Sequence, residues 1–280
     1  MAAQTLKGKI ALVTGASRGV GKGVALGLGE AGATVYITGR TESEEHISGW
    51  PGTLQQTVEE VEDLGARCIP IHCDHRSDEQ VVSVFQQIIQ EQGWLDILVN
   101  NVWGGYEAMF ENGQYTWPLP FWQQPVWRWD AMFQAGVRAH YVASIHAARL
   151  MTAQRSGLIV NISFWAGQKY MGNTAYGVAK AADDKMAVDM AHELREYNVA
   201  AVSIYPGLVR TEGVMAAAEY FDLSNSESPK FIGCGVAALA ADPQVMSKSG
   251  KVLVAAQLAL EYGFTDIDGK QPRPLTLEEA

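Results

Sequence analysis

The sequence predicts an α/β fold of three layers, a doubly wound parallel sheet in a single domain, and three observations carry that prediction. Short apolar runs rich in β-branched residues alternate with stretches of helical periodicity along the 280 residues. The first run ends directly in a glycine-rich turn at Gly15, Gly19 and Gly21. An apolar fraction of 48% against 19% charged residues suits the large core that a parallel sheet covered on both faces requires.

Ile10-Ala11-Leu12-Val13 reads as a buried strand running into Thr14-Gly15-Ala16-Ser17-Arg18-Gly19-Val20-Gly21 and then a helix. Glycines are needed there because the backbone must turn sharply and let a pyrophosphate approach the amides at the helix N-terminus. The spacing is not the G-x-G-x-x-G of the long-chain dinucleotide fingerprint, so the turn taken alone leaves a purely structural junction open. A small-residue helix over residues 19–31 leads to a strand at Thr34-Val35-Tyr36-Ile37-Thr38. Helical patterns at 54–64 and 79–92 alternate with strands at 68–72 and 97–100. Two longer helices, 129–153 and 175–197, flank a strand at 158–163, and strands at 200–205 and 251–255 complete the sheet. The strand-helix alternation never pauses for a linker, so one domain over residues 1–280 is expected.

Composition excludes several function classes. There are 31 acidic and 21 basic residues, and the net charge of −10 disfavours nucleic acid or an anionic membrane as the main partner. No apolar run reaches membrane-spanning length, and residues 1–9 lack the apolar core of a secretory signal, so a cytoplasmic location is expected. Cys68, Cys73 and Cys234 are an odd count without disulfide spacing, which agrees with a reducing compartment. The string His72-Cys73-Asp74-His75 invites a metal reading, but neighbouring side chains at a strand end point to opposite faces and cannot converge. No metal site is expected.

Tyr176 and Lys180 stand four residues apart on the second long helix, so both lie on one face. An ordinary tyrosine, with a pKa of about 10, is a poor acid or base near neutrality, and a cation beside it would favour the phenolate. Such spacing also arises by chance on many helices, and the rest of the chain has to decide.

Together the glycine turn and the Tyr-x-x-x-Lys pair resemble the short-chain dehydrogenase/reductase family, whose signatures are TGxxxGxG near the N-terminus and YxxxK on a later helix. Further pieces fall in family order: Asp74 after the third strand, Asn100-Asn101 after the fourth, Ile159-Val160-Asn161-Ile162-Ser163 as the fifth, and Pro206-Gly207-Leu208-Val209-Arg210-Thr211 after the sixth. The ending, from Ser249-Gly250-Lys251 to Asp266-Ile267-Asp268-Gly269, is similar to a branch of the family with mammalian members. The resemblance implies a Rossmann-type fold and hydride transfer between a nicotinamide C4 and a substrate carbonyl carbon. Tyr176 would pass the oxygen-bound proton, and Lys180 would also hold the nicotinamide ribose. Ser163 would hydrogen-bond the carbonyl oxygen, stabilising the transition state more than the ground state. Cofactor contacts are implied for Gly15, Ser17, Arg18, Gly19, Val20, Gly21, Arg40, Asp74, Asn100, Tyr176, Lys180, Pro206, Gly207, Val209 and Thr211.

In dinucleotide folds an acid about 20 residues past the glycine turn binds the adenosine ribose, whereas an arginine nearby suits a 2′-phosphate. Here that position is Gly39, Arg40 follows it, and Arg18 lies inside the turn. NADP is therefore expected over NAD, with Glu42 and Glu44 weighing the other way and a solvent-facing Arg40 as the plain alternative.

The chain departs from the family pattern in three places. Anchored on Asn161-Ile162, the usual serine column falls on Phe164 rather than Ser163, a one-residue offset that reverses the face in a strand. The column where many members carry an asparagine, holding a water that links the lysine to a proton path, is Gly136, which leaves room for an extra water. The small residues that usually follow Asn100-Asn101 are Val102-Trp103-Gly104. His140, His146 and His192 are read as helix-face or interface residues, and Asp183, Asp184 and Asp189 as a solvated face or subunit contacts.

Residues 41–53, with His46, Trp50 and Pro51, are expected to form a loop near the adenosine end. Residues 102–128 hold Trp103, Trp117, Trp122, Trp127, Tyr106, Phe110, Tyr115 and Phe121. They suit either an aromatic wall for a bulky apolar substrate or the packing of a long loop or subunit contact. Residues 212–232 fall where the family places a mobile substrate-binding segment, polar at 225–228. The leading expectation is an NADP-dependent oxidoreductase acting on an apolar ketone, aldehyde or alcohol as a homodimer or homotetramer. Gly136 and Phe164 keep open a nucleotide-binding member with little catalysis, a cofactor sensor or assembly partner.

Overall fold

Every strand that the sequence predicts is present in the computed structural model, which describes residues 4–41, 51–106, 109–111 and 114–280. Glu42, Glu44, His46 and Trp50 lie outside the described residues. The strands are β1 (Ile10–Val13), β2 (Thr34–Gly39), β3 (Cys68–His72) and β4 (Ile97–Asn100), then a small hairpin of β5 (Phe110–Glu111) and β6 (Gln114–Tyr115). They continue with β7 (Gly157–Ile162), β8 (Val199–Tyr205) and β9 (Val252–Val254). Apart from the antiparallel hairpin they form one parallel sheet in the order β3-β2-β1-β4-β7-β8-β9. The order reverses direction between β1 and β4, and the crevice beyond their carboxyl ends is where open α/β sheets bind ligands.

The helices are α1 (Gly19–Glu30), α2 (Leu54–Asp63), α3 (Asp78–Gln92), α4 (Val126–Met132), α5 (Ala139–Gln154) and α6 (Thr174–Leu194), then α7 (Glu212–Ala216), α8 (Pro229–Ala241) and α9 (Ala255–Tyr262). Two-residue periodicity in the strands splits the core. Val13, Val99 and Val160 pack with Val24 of α1 and Val236 of α8, while Leu12, Leu98 and Ile159 pack with Phe85 of α3 and Met151 of α5. Glycine sets how closely α1 and α8 approach. A Cβ on Gly23 would lie 2.0 Å from the backbone of Pro229, so no side chain fits. Thr53 closes a capping box with Gln56 at the start of α2, a feature worth about 1 kcal/mol.

One predicted helix is interrupted. Instead of running unbroken over 129–153, the chain makes a π-helical turn at Phe133–Arg138 between α4 and α5, with Ala135 at φ −100° and ψ 35°. Gly136 lies in that turn, and a Cβ there would come within 2.9 Å of the Trp103 indole. The indole fills the room that a side chain, or the water expected in its place, would take. Among the described residues no helix is long and apolar enough to cross a membrane. Cys68 and Cys73 are buried core thiols, pushed by burial to about 12.

Candidate active site

The glycine turn sits in the crevice between β1 and β4. Gly15 and Gly19 adopt φ of +67° and +55°, in the left-handed region that disfavours side chains. A Cβ on Gly21 would lie 2.4 Å from the Gly15 carbonyl oxygen. Thr14 Oγ1 donates to the Val99 carbonyl and accepts from the amides of Asn101 and Val102, which ties the two strand ends together. The side chain that clamps the turn is Asn101, whose Nδ2 donates to the carbonyls of Thr14 and Gly15 at 3.0 and 2.9 Å. Asn100, the expected contact, points instead into the interior, donating to Ser144 and Asn161. Ser17, Arg18 and Val20 lie in the turn, with Val20 packed against the core.

This turn is shaped for an anion, and one already stands on it. The Gly19 amide at the N-terminus of α1 donates to both carboxylate oxygens of Glu212, at 3.0 and 3.3 Å. Glu212 arrives on the segment after β8, where Thr211 caps α7 and its methyl lies 3.5 Å from the place of a Gly19 Cβ. Gly207 donates its amide to Glu227, and Val209 bridges to Glu227, so Pro206, Gly207, Val209 and Thr211 are brought to the mouth of the crevice. The donor set fits a pyrophosphate.

The polar part of residues 212–232 packs into the protein instead of facing solvent. Ser226, Glu227 and Ser228 are buried, held by Arg210 and by Asp266, which accepts from Arg210, the Ser228 amide and the Ser228 hydroxyl. Burial raises the Glu227 carboxyl to about 7.

Asn173 starts α6 by accepting from the Tyr176 amide, and its Nδ2 donates to the Trp117 carbonyl. Tyr176 and Lys180 do share a buried face of α6. The Tyr176 ring is enclosed by Trp103 and Trp117, both at 5.7 Å between centroids, Tyr106 at 6.0 Å and Phe164 at 6.3 Å. Burial drives its phenol well above the ordinary value, and Tyr106 and Asp183 add to the shift. The expected activation by Lys180 is not the arrangement found. The ammonium donates to the Ile162 carbonyl at 3.0 Å, lies 3.6 Å from Asp183 Oδ2 and stands 4.2 Å over the Trp103 ring. Burial lowers its pKa, while Asp183 and Asp184 oppose that effect.

Ser163 and Phe164 divide as alternating strand geometry requires. The Ser163 hydroxyl is buried and donates to the Lys180 backbone carbonyl at 3.2 Å, beneath α6, and Phe164 is the one that meets Tyr176. The offset noted in the sequence thus has a structural consequence: the expected serine hydroxyl supports the lysine turn.

Two residues read as surface groups belong to the interior. Asp183 and His140 are 0% and 1% exposed. Asp183 Oδ1 accepts from His140 Nδ1 at 2.9 Å, and His140 Nε2 faces the Val102 carbonyl at 2.9 Å. Burial would raise the Asp183 pKa, but His140 and Lys180 more than offset it and hold the carboxyl low. A signal was present in the sequence, since residues 176, 180, 183 and 187 follow the period of one helix face. Asp184 also turns inward, accepting from the Tyr205 hydroxyl, whereas His192 and Asp189 are exposed as expected.

At the opposite end of the crevice Arg18 donates to Thr41 and to the Gly52 carbonyl. Burial lowers the pKa of both Arg18 and Arg40, and the two cations are close enough that Arg40 lowers Arg18 further. Asp74 is paired with Arg76, and its charge also acts on Arg40. His75 is buried with Nε2 2.7 Å from Thr38 Oγ1, while His72 is exposed, so the two diverge.

The aromatic segment splits in two. Trp103, Tyr106 and Trp117 wall the tyrosine, while Phe121 and Trp122 stand 65% and 71% exposed. Arg128, itself buried, secures the segment through Thr116 and Gln124.

The sequence profile of the family described as short chain dehydrogenase matches residues 9–220. Dehydrogenase/reductase SDR family member 1 of Mus musculus is 45% identical over 279 residues, covering 95% of this chain and 85% of that protein. The Homo sapiens protein of the same name is 43% identical over 282 residues, covering 96% and 86%. Among solved structures, 7α-hydroxysteroid dehydrogenase complexed with NADH and 7-oxo glycochenodeoxycholic acid superposes with a TM-score of 0.73 at 25% identity, covering 90% of this chain and 94% of that one.

Proposed function

This chain belongs to the short-chain dehydrogenase family, and on that premise we propose that it is an NADP(H)-dependent oxidoreductase interconverting an apolar ketone or aldehyde with its alcohol. The observation that carries the reading is the buried Tyr176, one turn from Lys180, beyond the carboxyl ends of the strands that hold the glycine turn. A reduced nicotinamide, when bound, supplies the hydride to the carbonyl carbon. The amides at Gly19 to Gly21 would hold its pyrophosphate in place of the Glu212 carboxylate, and Lys180 would hold the ribose. Tyr176 gives the proton to the carbonyl oxygen as negative charge develops there. Ser163 supports the Lys180 turn from below. Trp103, Trp117 and Phe164 exclude water and favour an apolar substrate, which agrees with the steroid ketone named for the solved relative. The exposed Tyr141 of α5 and Val178 and Val188 of α6 support a homodimer or homotetramer.

Purified protein with NADPH, assayed against acetophenone, isatin and a 7-oxo bile acid, tests the reading. Turnover of any of them supports it. Tight NADPH binding with no turnover favours the sensor reading, which Phe164 beside Tyr176 supports, and failure to bind either dinucleotide sinks both.

The solved relative holds NADH, so the NADP preference rests on Arg18 and Arg40. A charge-assisted hydrogen bond is worth about 1.5–3 kcal/mol, so replacing both arginines by alanine should weaken NADPH binding by at least tenfold and leave NADH within about twofold. Fluorescence titration of the two cofactors measures this, and equal weakening of both would remove the basis for the preference.

A further inference from the structure

Beyond β4 the backbone is compressed against its neighbours in a way that aims one side chain. A Cβ on Gly104 would lie 2.8 Å from the Ala135 Cβ, and one on Gly105 would lie 2.7 Å from the Trp103 indole. Only a bare backbone passes between these groups. It delivers Tyr106 onto the edge of Trp103, at 5.9 Å between centroids, and into contact with Trp117 at 5.6 Å. Tyr106 as a residue is 47% exposed, while its hydroxyl reaches inward, donates to the Tyr176 hydroxyl at 3.0 Å and has its pKa raised by burial. Among the described residues this is the hydrogen bond that Tyr176 Oη makes.

Among the described residues, the other polar groups near Tyr176 have partners of their own in this structure. The Lys180 ammonium is enclosed by the Ile162 carbonyl, Asp183 and the face of Trp103. The Ser163 hydroxyl is directed at the Lys180 carbonyl. Of the described rings that meet Tyr176, those of Trp103, Trp117 and Phe164 have no hydroxyl to offer, and Tyr106 has one on a partly exposed residue.

We propose that Tyr106 is a second catalytic tyrosine, relaying protons between solvent and Tyr176. The proposal rests on the reading of Tyr176 as the proton donor. In the reducing direction the O–H bond of Tyr176 breaks as the substrate O–H bond forms. The O–H bond of Tyr106 then breaks as that of Tyr176 is restored, and a proton from a solvent hydronium or buffer acid restores Tyr106. One solvent proton is consumed for each carbonyl reduced, and the oxidising direction runs the same steps backwards.

Tyr106→Phe keeps the ring contacts and removes the hydroxyl, so it separates relay from packing. With NADPH and isatin or a 7-oxo bile acid, Tyr106→Phe should lower kcat about 10- to 100-fold while NADPH affinity, read by fluorescence, stays within about twofold. The alkaline limb of its kcat profile should move to lower pH, because Tyr106 adds to the upward shift of the Tyr176 phenol. Tyrosinate absorbance titration, which needs no turnover, should show one ionisation lost and another displaced downward. Tyr106→His, which can still carry a proton, should recover part of the rate. A Tyr106→Phe protein with unchanged kcat and pH profile overturns the proposal, even where Tyr106→Ala is inactive, since the residue then only packs. An unsubstituted protein that binds NADPH but reduces no carbonyl overturns the reading of Tyr176 together with it.

Discussion

Tyr176→Phe should lower kcat by about 10²- to 10⁴-fold, the range that a positioned general acid contributes. At about 1.36 kcal/mol per tenfold this is roughly 3–5 kcal/mol of transition-state stabilisation. The loss should fall on the chemical step alone. Phenylalanine keeps the contacts with Trp103, Trp117 and Phe164, and the α6 N-cap at Asn173 uses the backbone amide of residue 176, not its side chain. One hydrogen bond to the half-exposed Tyr106 is lost, costing on the order of 1 kcal/mol of stability. Single-turnover kinetics with bound NADPH would therefore slow while cofactor affinity and the denaturant midpoint barely move. A variant that keeps more than about a tenth of the wild-type rate would remove Tyr176 from the proton-transfer step.

Asp183→Ala carries the largest expected stability effect, about 3–5 kcal/mol, because it leaves the ammonium of Lys180 buried without its carboxylate. That is a large share of a typical folding free energy of about 5–15 kcal/mol. The substitution also removes the acceptor of His140 Nδ1, and with Asp183 gone burial acts on Lys180 with less opposition, so the amine gives up its proton more readily. The pH dependence has a definite sign. The Asp183 carboxyl is held below its ordinary value, so its charge stabilises the fold above the ordinary carboxylate range and that contribution disappears as pH falls through the lowered value. Urea unfolding of wild type and Asp183→Asn should show the widest gap near neutrality and a narrowing gap as pH falls below the ordinary carboxylate range. Coincident curves at neutral pH would mean that the buried Lys180, Asp183 and His140 network holds nothing together.

What could be read in advance followed local rules. The seven parallel strands were legible because apolar, β-branched runs and helical periods are contiguous in sequence, and the glycine turn because a left-handed φ and close backbone approach demand residues without side chains. Tyr176 and Lys180 were legible because a four-residue offset alone puts them on one face. The break at Phe133–Arg138 was not, since it depends on an indole contributed from 33 residues earlier than Gly136. Asp183 and His140 carry polar side chains that local reading assigns to solvent, and their burial makes sense only once α5 and α6 lie side by side over β4 and β7. Tyr106 was one aromatic among eight in its segment until the chain path over Gly104 and Gly105 aimed it.

The sequence by itself determined the fold, the place of the dinucleotide turn and the pair on α6, because each is encoded by neighbours a few residues apart. Tertiary structure decided what that pair touches. Lys180 faces Asp183 instead of the tyrosine, Phe164 instead of Ser163 meets the phenol, and Tyr106 holds its hydroxyl. Such partners come from strands and loops far apart in the chain, and only packing at van der Waals and hydrogen-bond distances selects among them.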